Sequence, residues 1–275
     1  MQHKIAFIGG GNMARALISG LISHGTQAQA LQVGEPQQQT REDLSRDFGV
    51  LATGDNGVAI AGADLVVMAV KPQEAGRVLT PLRQQFQASR PVVLSVAAGI
   101  TVASLQQWLG AGVPVVRAMP NRPALVGAGV SGLFAAPDVT PAQRGLAEDT
   151  MRASGGVVWL DREDDIDAVI AVSGSGPAYF FLLAELMMRH GEALGLAPAT
   201  ARMLAVETLY GAGALAHASE DGDLARMRAE VTSRGGTTAA AIAVFESAGL
   251  SRTVATAMDA AVRRSREIAI EFGRS

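Results

Sequence analysis

Ile5-Ala6-Phe7-Ile8-Gly9-Gly10-Gly11-Asn12-Met13-Ala14 sets an apolar strand directly before a glycine turn and the start of an apolar-periodic helix. Gly9 permits the tight turn, Gly11 leaves bare backbone for phosphate oxygens to approach, and Ala14 is small enough for helix to meet strand. The N–H groups that open the helix then face an anion. In a chain with 31 glycines the pattern alone arises by chance. Its place between strand and helix is what points to a dinucleotide pyrophosphate.

Outward from this turn, residues 4–8, 31–33, 65–70, 92–96 and 113–117 read as strands that alternate with amphipathic helical segments. That alternation predicts an α/β domain built on a doubly wound parallel sheet. Residues 124–136 and 156–160, around a helix opening at Thr140-Pro141, read as further strands at the sheet's edge. After Asp161 the pattern is helical, with helix starts at Gly176-Pro177 and Pro198 and near Asp223, Thr238 and Ser251. The expected domains are therefore 1–160, binding a dinucleotide, and 161–275, all-helical, joined at Asp161-Arg162-Glu163-Asp164-Asp165.

The helix expected over 178–194 carries Tyr179, Phe180, Phe181, Leu182, Leu183, Leu186, Met187 and Met188, and so is apolar almost all round. Such a helix is buried on every side. A helical unit of about 115 residues is too small to cover it, so a subunit interface is expected, with burial inside one chain as the alternative. The greasy stretch from Tyr179 to Met188 is interrupted by Glu185 and falls short of a membrane span.

Charged residues make up 18% of the chain and the net charge is −3, so no basic stripe is present to collect nucleic acid or an anionic membrane. There is no cysteine, which removes disulfides and thiolate catalysis and leaves redox chemistry to a cofactor. The glycine turn begins too early for a signal peptide, and a soluble, cytoplasmic protein is expected. His3, His24, His190 and His217 show no metal spacing, so no metal site is expected.

Glu35 follows the second strand, 21 residues after Ala14, where an acid bonds an adenosine ribose. It would repel a 2′-phosphate and favour NADH, although Arg41 is near enough in sequence to reach that phosphate; a plain surface glutamate is the other reading. Lys71 closes the strand ending in Ala69-Val70, at the sheet's carboxyl edge, and is one of two lysines against 21 arginines. A compact point charge is one reading, a solvated lysine the other. Small residues in Ser95-Val96-Ala97-Ala98-Gly99 suit a backbone lining a nicotinamide. Val231-Thr232-Ser233-Arg234-Gly235-Gly236-Thr237-Thr238 opens a helix with hydroxyls and glycines. Its amides suit a carboxylate, or the hydroxyls simply cap the helix; the turn Ser173-Gly174-Ser175-Gly176-Pro177 carries the same ambiguity.

In this order, with Asn56, Val70-Lys71-Pro72-Gln73, Ala97-Ala98-Gly99, Met119-Pro120-Asn121 and Ala178-Tyr179 between them, the motifs resemble those of the pyrroline-5-carboxylate reductase family. The 231–238 segment, continuing through Ala241-Ile242 to Phe245-Glu246, is the most specific match. The resemblance implies a Rossmann domain followed by an all-helical dimerisation domain, a site between cofactor and helices completed by a neighbouring subunit, and dimers assembled into larger rings. The implied reaction is reduction of a cyclic imine, L-1-pyrroline-5-carboxylate, to L-proline with NADPH or NADH, the last step of proline biosynthesis. The family's threonine near the imine nitrogen maps to Thr238 and its carboxylate cradle to Gly236 and Thr237. Cofactor contacts map to Gly9, Gly10, Gly11, Asn12, Met13, Glu35, Asn56, Ala69, Val70, Lys71, Pro72, Val96, Ala97 and Ala98, and Glu163 maps to a substrate-lining position. Arg122 stands where the family commonly has threonine, and Arg234 where it has proline or asparagine. A β-hydroxyacid dehydrogenase would carry its lysine on the helical unit, which has none. A reductase of another cyclic imine and a non-catalytic dinucleotide sensor are the alternatives.

Overall fold

The computed structural model describes residues 3–272. Among these, eight strands form one sheet: β1 Ile5–Ile8, β2 Leu31–Gly34, β3 Leu51–Thr53, β4 Leu65–Met68, β5 Val92–Ser95, β6 Val115–Met119, β7 Gly129–Ala135 and β8 Gly155–Trp159. Their order is β3-β2-β1-β4-β5-β6-β7-β8. Both faces are covered, because residues alternate along each central strand. Phe7, Val67 and Leu94 face one apolar cluster, and Ile8, Val66 and Val93 face the other. Continuous apolar runs such as Leu65–Met68 are what a parallel sheet buried on both sides requires.

Two features depart from the sequence reading. β3 was not anticipated, since it is three residues long, sits at the edge and exposes Leu51. β7 runs antiparallel to β6, while β8 returns parallel to β7. Only a short turn, Arg122–Val126, separates β6 from β7, too little chain for a parallel crossover.

The chain divides into two compact units, one ending at Ser175 and resuming at Ala261, the other Gly176–Ala260. The acidic link named from the sequence lies earlier, at 161–165. Residues beyond it still belong to the sheet unit: Ile166 and Ala171 are buried, and the Val169 side chain closes over Gly132. Asp167 in turn accepts hydrogen bonds from Ser265 Oγ at 2.6 Å and from Arg266 Nε at 3.1 Å.

Gly176–Ala260 holds helices Gly176–Ala193, Pro198–Ala218, Leu224–Glu230 and Thr237–Ser247 and the start of Leu250–Phe272. The helical run begins upstream of the expected Gly176-Pro177 start, at Asp165, and passes through a π-turn at Ile170–Gly174. Proline lacks the N–H that would bond back to the carbonyl four residues before it. For Pro177 that carbonyl is Ser173 O, and it accepts instead from Asn121 Nδ2 at 3.1 Å. Counted from Asp165, the stretch to Ala193 has 29 residues and contains an 18-residue window with a mean hydropathy of 1.5, which by length and composition alone is enough to cross a membrane. The Tyr179–Met188 stretch read from the sequence is the later part of this run, which also takes in the apolar turns before Gly176. Those first turns bury Ile166 and Ala171 in protein.

Phe180, Phe181, Leu182 and Leu186 are each more than half exposed within the chain. Phe180, Leu183, Met187, Leu209 and Leu224 also line an apolar groove of about 450 Å³. Exposed apolar surface of this extent marks an interaction surface. Two outcomes are expected. Phe181→Asp or Leu186→Asp converts an oligomer of at least twice the subunit mass to monomer or aggregate in light scattering, because a buried unpaired charge costs several kcal/mol. Gly9→Ala lowers thermal stability by about 1–3 kcal/mol, through a left-handed backbone that disfavours any side chain.

Candidate functional site

The strand order reverses between β1 and β4, and open α/β sheets bind ligands at the carboxyl ends of such a pair. Gly9 leaves β1 at φ +97°, and a Cβ there would lie 2.9 Å from Ala69 O at the end of β4. Gly9 N–H donates to Gly34 O at 2.8 Å. Gly11, the N-cap of helix Asn12–Ser23, has no side chain to cap it, and the first intrahelical bond is Arg15 N to Gly11 O at 3.0 Å. The amides of that first turn therefore point outward without a side-chain acceptor, and the space where a Gly11 Cβ would stand is open. This geometry accepts an anion against bare peptide.

A groove of about 440 Å³ lies there. It gathers Gly9, Gly10, Gly11, Glu35, Asn56, Ala69, Val70 and Lys71 from the sequence reading. Glu35 is held rather than loose: Oε2 accepts from Gly10 N–H and Oε1 from Gln37 N–H, both at 2.9 Å. The carboxylate is thus fixed at the groove's rim with lone pairs left for a diol. Arg41 turns away from that role, since its Nη1 donates to the carbonyls of Glu35 and Pro36 at 2.8 and 2.7 Å. Lys71 is exposed and forms no ion pair among the described residues.

Other expected contacts lie outside the groove lining. Asn12 and Met13 form the first turn of the helix, Pro72 opens the turn Pro72–Glu74, and Val96, Ala97 and Ala98 follow β5, one strand over. Val96 N–H bonds Met68 O at 3.2 Å, so this loop starts level with the end of β4. Glu163 is engaged within the sheet unit: its Oε1 accepts from Val102 N–H and from Arg117 Nη1, both at 2.7 Å. Gly236, Thr237 and Thr238 form the N-terminus of helix Thr237–Ser247 in the second unit. Gly235 enters it at φ +72°, no side chain caps it, and both threonines are exposed. Simple hydroxyl capping, the alternative reading of this segment, is therefore not what the structure contains.

Gly34 and Arg117 escaped the sequence reading. Gly34 lies beneath the Asn56 side chain, which leaves no room for a Cβ. Its signal was a glycine ending a strand just before Glu35. Arg117 reads as an ordinary strand end and Asn121 only as part of the Met119-Pro120-Asn121 motif, yet both are buried. Asn121 Oδ1 accepts from Val130 N–H at 3.0 Å while its amide serves Ser173 O. Arg122 and Arg234 are exposed. The carboxyls of Asp47, Glu148 and Asp221 are held below the usual range, chiefly by hydrogen bonds from Arg15, Trp159 and Arg226, and none of the three lines the groove. Among the described residues no cluster of three metal-ligating side chains forms.

A family model described as pyrroline-5-carboxylate reductase dimerisation matches residues 163–268, and one described as NADP oxidoreductase, coenzyme F420-dependent, matches 4–99. Pyrroline-5-carboxylate reductase of Pseudomonas aeruginosa is 45% identical over 271 residues, covering 98% of each chain. The structure of a pyrroline-5-carboxylate reductase from Coxiella burnetii superposes with a TM-score of 0.94 at 40% identity, covering 98% of this chain and 99% of that one. A Plasmodium falciparum pyrroline carboxylate reductase with NADP bound superposes with a TM-score of 0.83 at 26% identity, covering 98% and 99%. With an anion-accepting glycine turn at one end of the sequence and a dimerisation module at the other, the chain belongs to the pyrroline-5-carboxylate reductase family.

Proposed function

We propose that this chain reduces L-1-pyrroline-5-carboxylate to L-proline with NAD(P)H, the last step of proline biosynthesis, as a cytoplasmic homo-oligomer built from dimers. The observation that carries this reading is the groove at the β1–β4 reversal, with bare amides at Gly11 and a fixed acid at Glu35, in a chain of this family. NAD(P)H supplies the hydride. Gly11, Asn12 and Met13 hold the pyrophosphate on peptide N–H groups, Gly9 and Gly10 shape the turn beneath it, and Glu35 and Asn56 border the adenosine end. Ala69 to Pro72 and Val96 to Ala98 lead towards the nicotinamide. The sheet unit, which ends at Ser175 and resumes at Ala261, acts as the dinucleotide domain, and Gly176–Ala260 as the helical unit that dimerises and binds substrate. A ring of dimers follows from the family resemblance, with neither nucleic acid nor membrane as partner.

In the helical unit, Gly236 N–H is taken by Ser233 O at 3.0 Å, so Gly236 leaves the approach open while the Thr237 amide fixes the substrate carboxylate, and the Thr238 hydroxyl orients the imine nitrogen. A protonated imine is already electrophilic, so positioning at carbon contributes more than a strong general acid. No histidine is needed for that chemistry. The acid at Glu35 would face a 2′-phosphate with like charge, and Arg41 is occupied by two carbonyls, so NADH is favoured over NADPH.

Following NADH and NADPH absorbance separately on addition of pyrroline-5-carboxylate, with a six-membered cyclic imine as control, tests the reading. Rapid oxidation with the five-membered substrate is expected; turnover of the six-membered imine alone, or binding of dinucleotide with no turnover, contradicts it. Glu35→Ala should shift the NADH to NADPH ratio of kcat/KM by about tenfold or more towards NADPH, which is ~1.4 kcal/mol. Thr238→Ala should lower kcat/KM by roughly 10- to 100-fold with folding intact, the range for loss of one oriented hydrogen bond.

A further inference from the structure

Glu163 is joined to the loop that follows β5, not to open solvent. Its Oε1 takes the Val102 N–H, the first amide of helix Val102–Leu109, and the same atom takes Arg117 Nη1, each at 2.7 Å. Thr101 serves a different amide of that helix, Ser104 N–H at 3.1 Å. The Arg117 side chain is 9% exposed and sits on β6 directly beside Ser95, the last residue of β5. One carboxylate therefore ties three pieces of chain together: the segment after β8, the strand β6, and the end of the loop 96–101.

The other side of the loop is also held. Gly99 lies at φ +77° against Ile268, where any Cβ would collide with the Ile268 side chain. The helix bearing Ile268 is fixed in turn by Ser265 and Arg266 on Asp167. Val96 begins the loop with its N–H on Met68 O. The short backbone of Val96, Ala97 and Ala98 is thus suspended between fixed points at Met68, Ile268 and Glu163.

A partly buried ion pair contributes little net stability once desolvation is counted. Stability alone therefore gives a weak reason for Arg117 and Glu163 to be paired at this location. Arg117 left unpaired would be a buried charge, so the pair acts as a lock: it holds one arrangement and penalises others.

We propose that Glu163, locked by Arg117, is a positioning residue that sets the height of the 96–98 backbone against the nicotinamide ring and does not itself touch substrate. This rests on the dinucleotide reading of the groove. The adenosine end, held by Gly10 and Glu35, lies outside its reach. Loosening the lock should degrade nicotinamide placement and leave adenosine binding alone.

The test separates those two ends in the full-length protein. Dissociation constants for NADH and for ADP-ribose are measured by fluorescence and calorimetry on the wild type, Glu163→Gln, Glu163→Ala and Thr101→Ala, together with melting temperature, kcat and KM. Glu163→Gln should weaken NADH about fivefold, keep ADP-ribose within about twofold and lower kcat about tenfold, as misplacement of a reacting centre does. Thr101→Ala, which removes the helix's other cap, should lower the melting temperature without that split. Glu163→Gln keeps an acceptor for Val102 and decides the matter if Glu163→Ala does not fold. A rise in KM for the imine at unchanged kcat would make Glu163 a substrate contact and overturn the proposal. Equal loss of NADH and ADP-ribose affinity, or no change in either, would overturn it too. The binding split needs no turnover, so a wild type that fails to oxidise NADH counts against the reductase reading and leaves this inference to stand or fall by itself.

Discussion

At the end of β1 the chain turns at Gly9 so close to the end of β4 that a single added carbon would sit 2.9 Å from Ala69 O. That approach brings the first turn of helix Asn12–Ser23 over the sheet with its amides uncapped. Everything at the cofactor end follows from it. Ala14 is fully buried where helix meets sheet, and Gly10 N–H comes within reach of Glu35 on the neighbouring strand. A larger residue at Gly9 would separate strand from helix and dissolve the cradle as well as the packing.

The helical unit obeys a different constraint. Its two long helices pack on each other yet leave Phe180, Phe181, Leu182 and Leu186 largely exposed. A chain cannot keep that much apolar surface in water, and the dimerisation model matching 163–268 names the remedy, a second copy. Assembly is thus a condition of the helical unit's stability, and only the sheet unit covers its own core.

What was readable in the sequence was local. The glycine turn, the central strands and the helix starts at Pro198 and near Asp223, Thr238 and Ser251 are written in periodicity and punctuation within a few residues. Glu35 was readable because its distance from the turn is set by one βαβ unit. What escaped depends on partners far along the chain. The helical run starts at Asp165, 11 residues before Gly176, and passes Pro177 with Ser173 O bonded by distant Asn121 in place of the missing proline N–H. Glu163 was legible as part of an acidic link and, through the family resemblance, as lining the substrate, but its partners Val102 and Arg117 lie 61 and 46 residues away. β7 reversed direction for want of chain length, which strand patterning does not report.

The proposed reaction is direct hydride transfer from a dinucleotide at the β1–β4 reversal to the imine carbon of a five-membered ring. Incubating the protein with pyrroline-5-carboxylate and NADH dideuterated at the reducing carbon of its nicotinamide, then analysing the proline by mass spectrometry and NMR, tests that claim at the atom concerned. The expected product is proline with a single deuterium at the former imine carbon, the ring carbon next to nitrogen that lacks the carboxylate, and with no deuterium at that carbon when the solvent and not the cofactor is deuterated. Deuterium from solvent at the former imine carbon, or no proline formed by a protein that still binds NADH, would rule direct hydride transfer out.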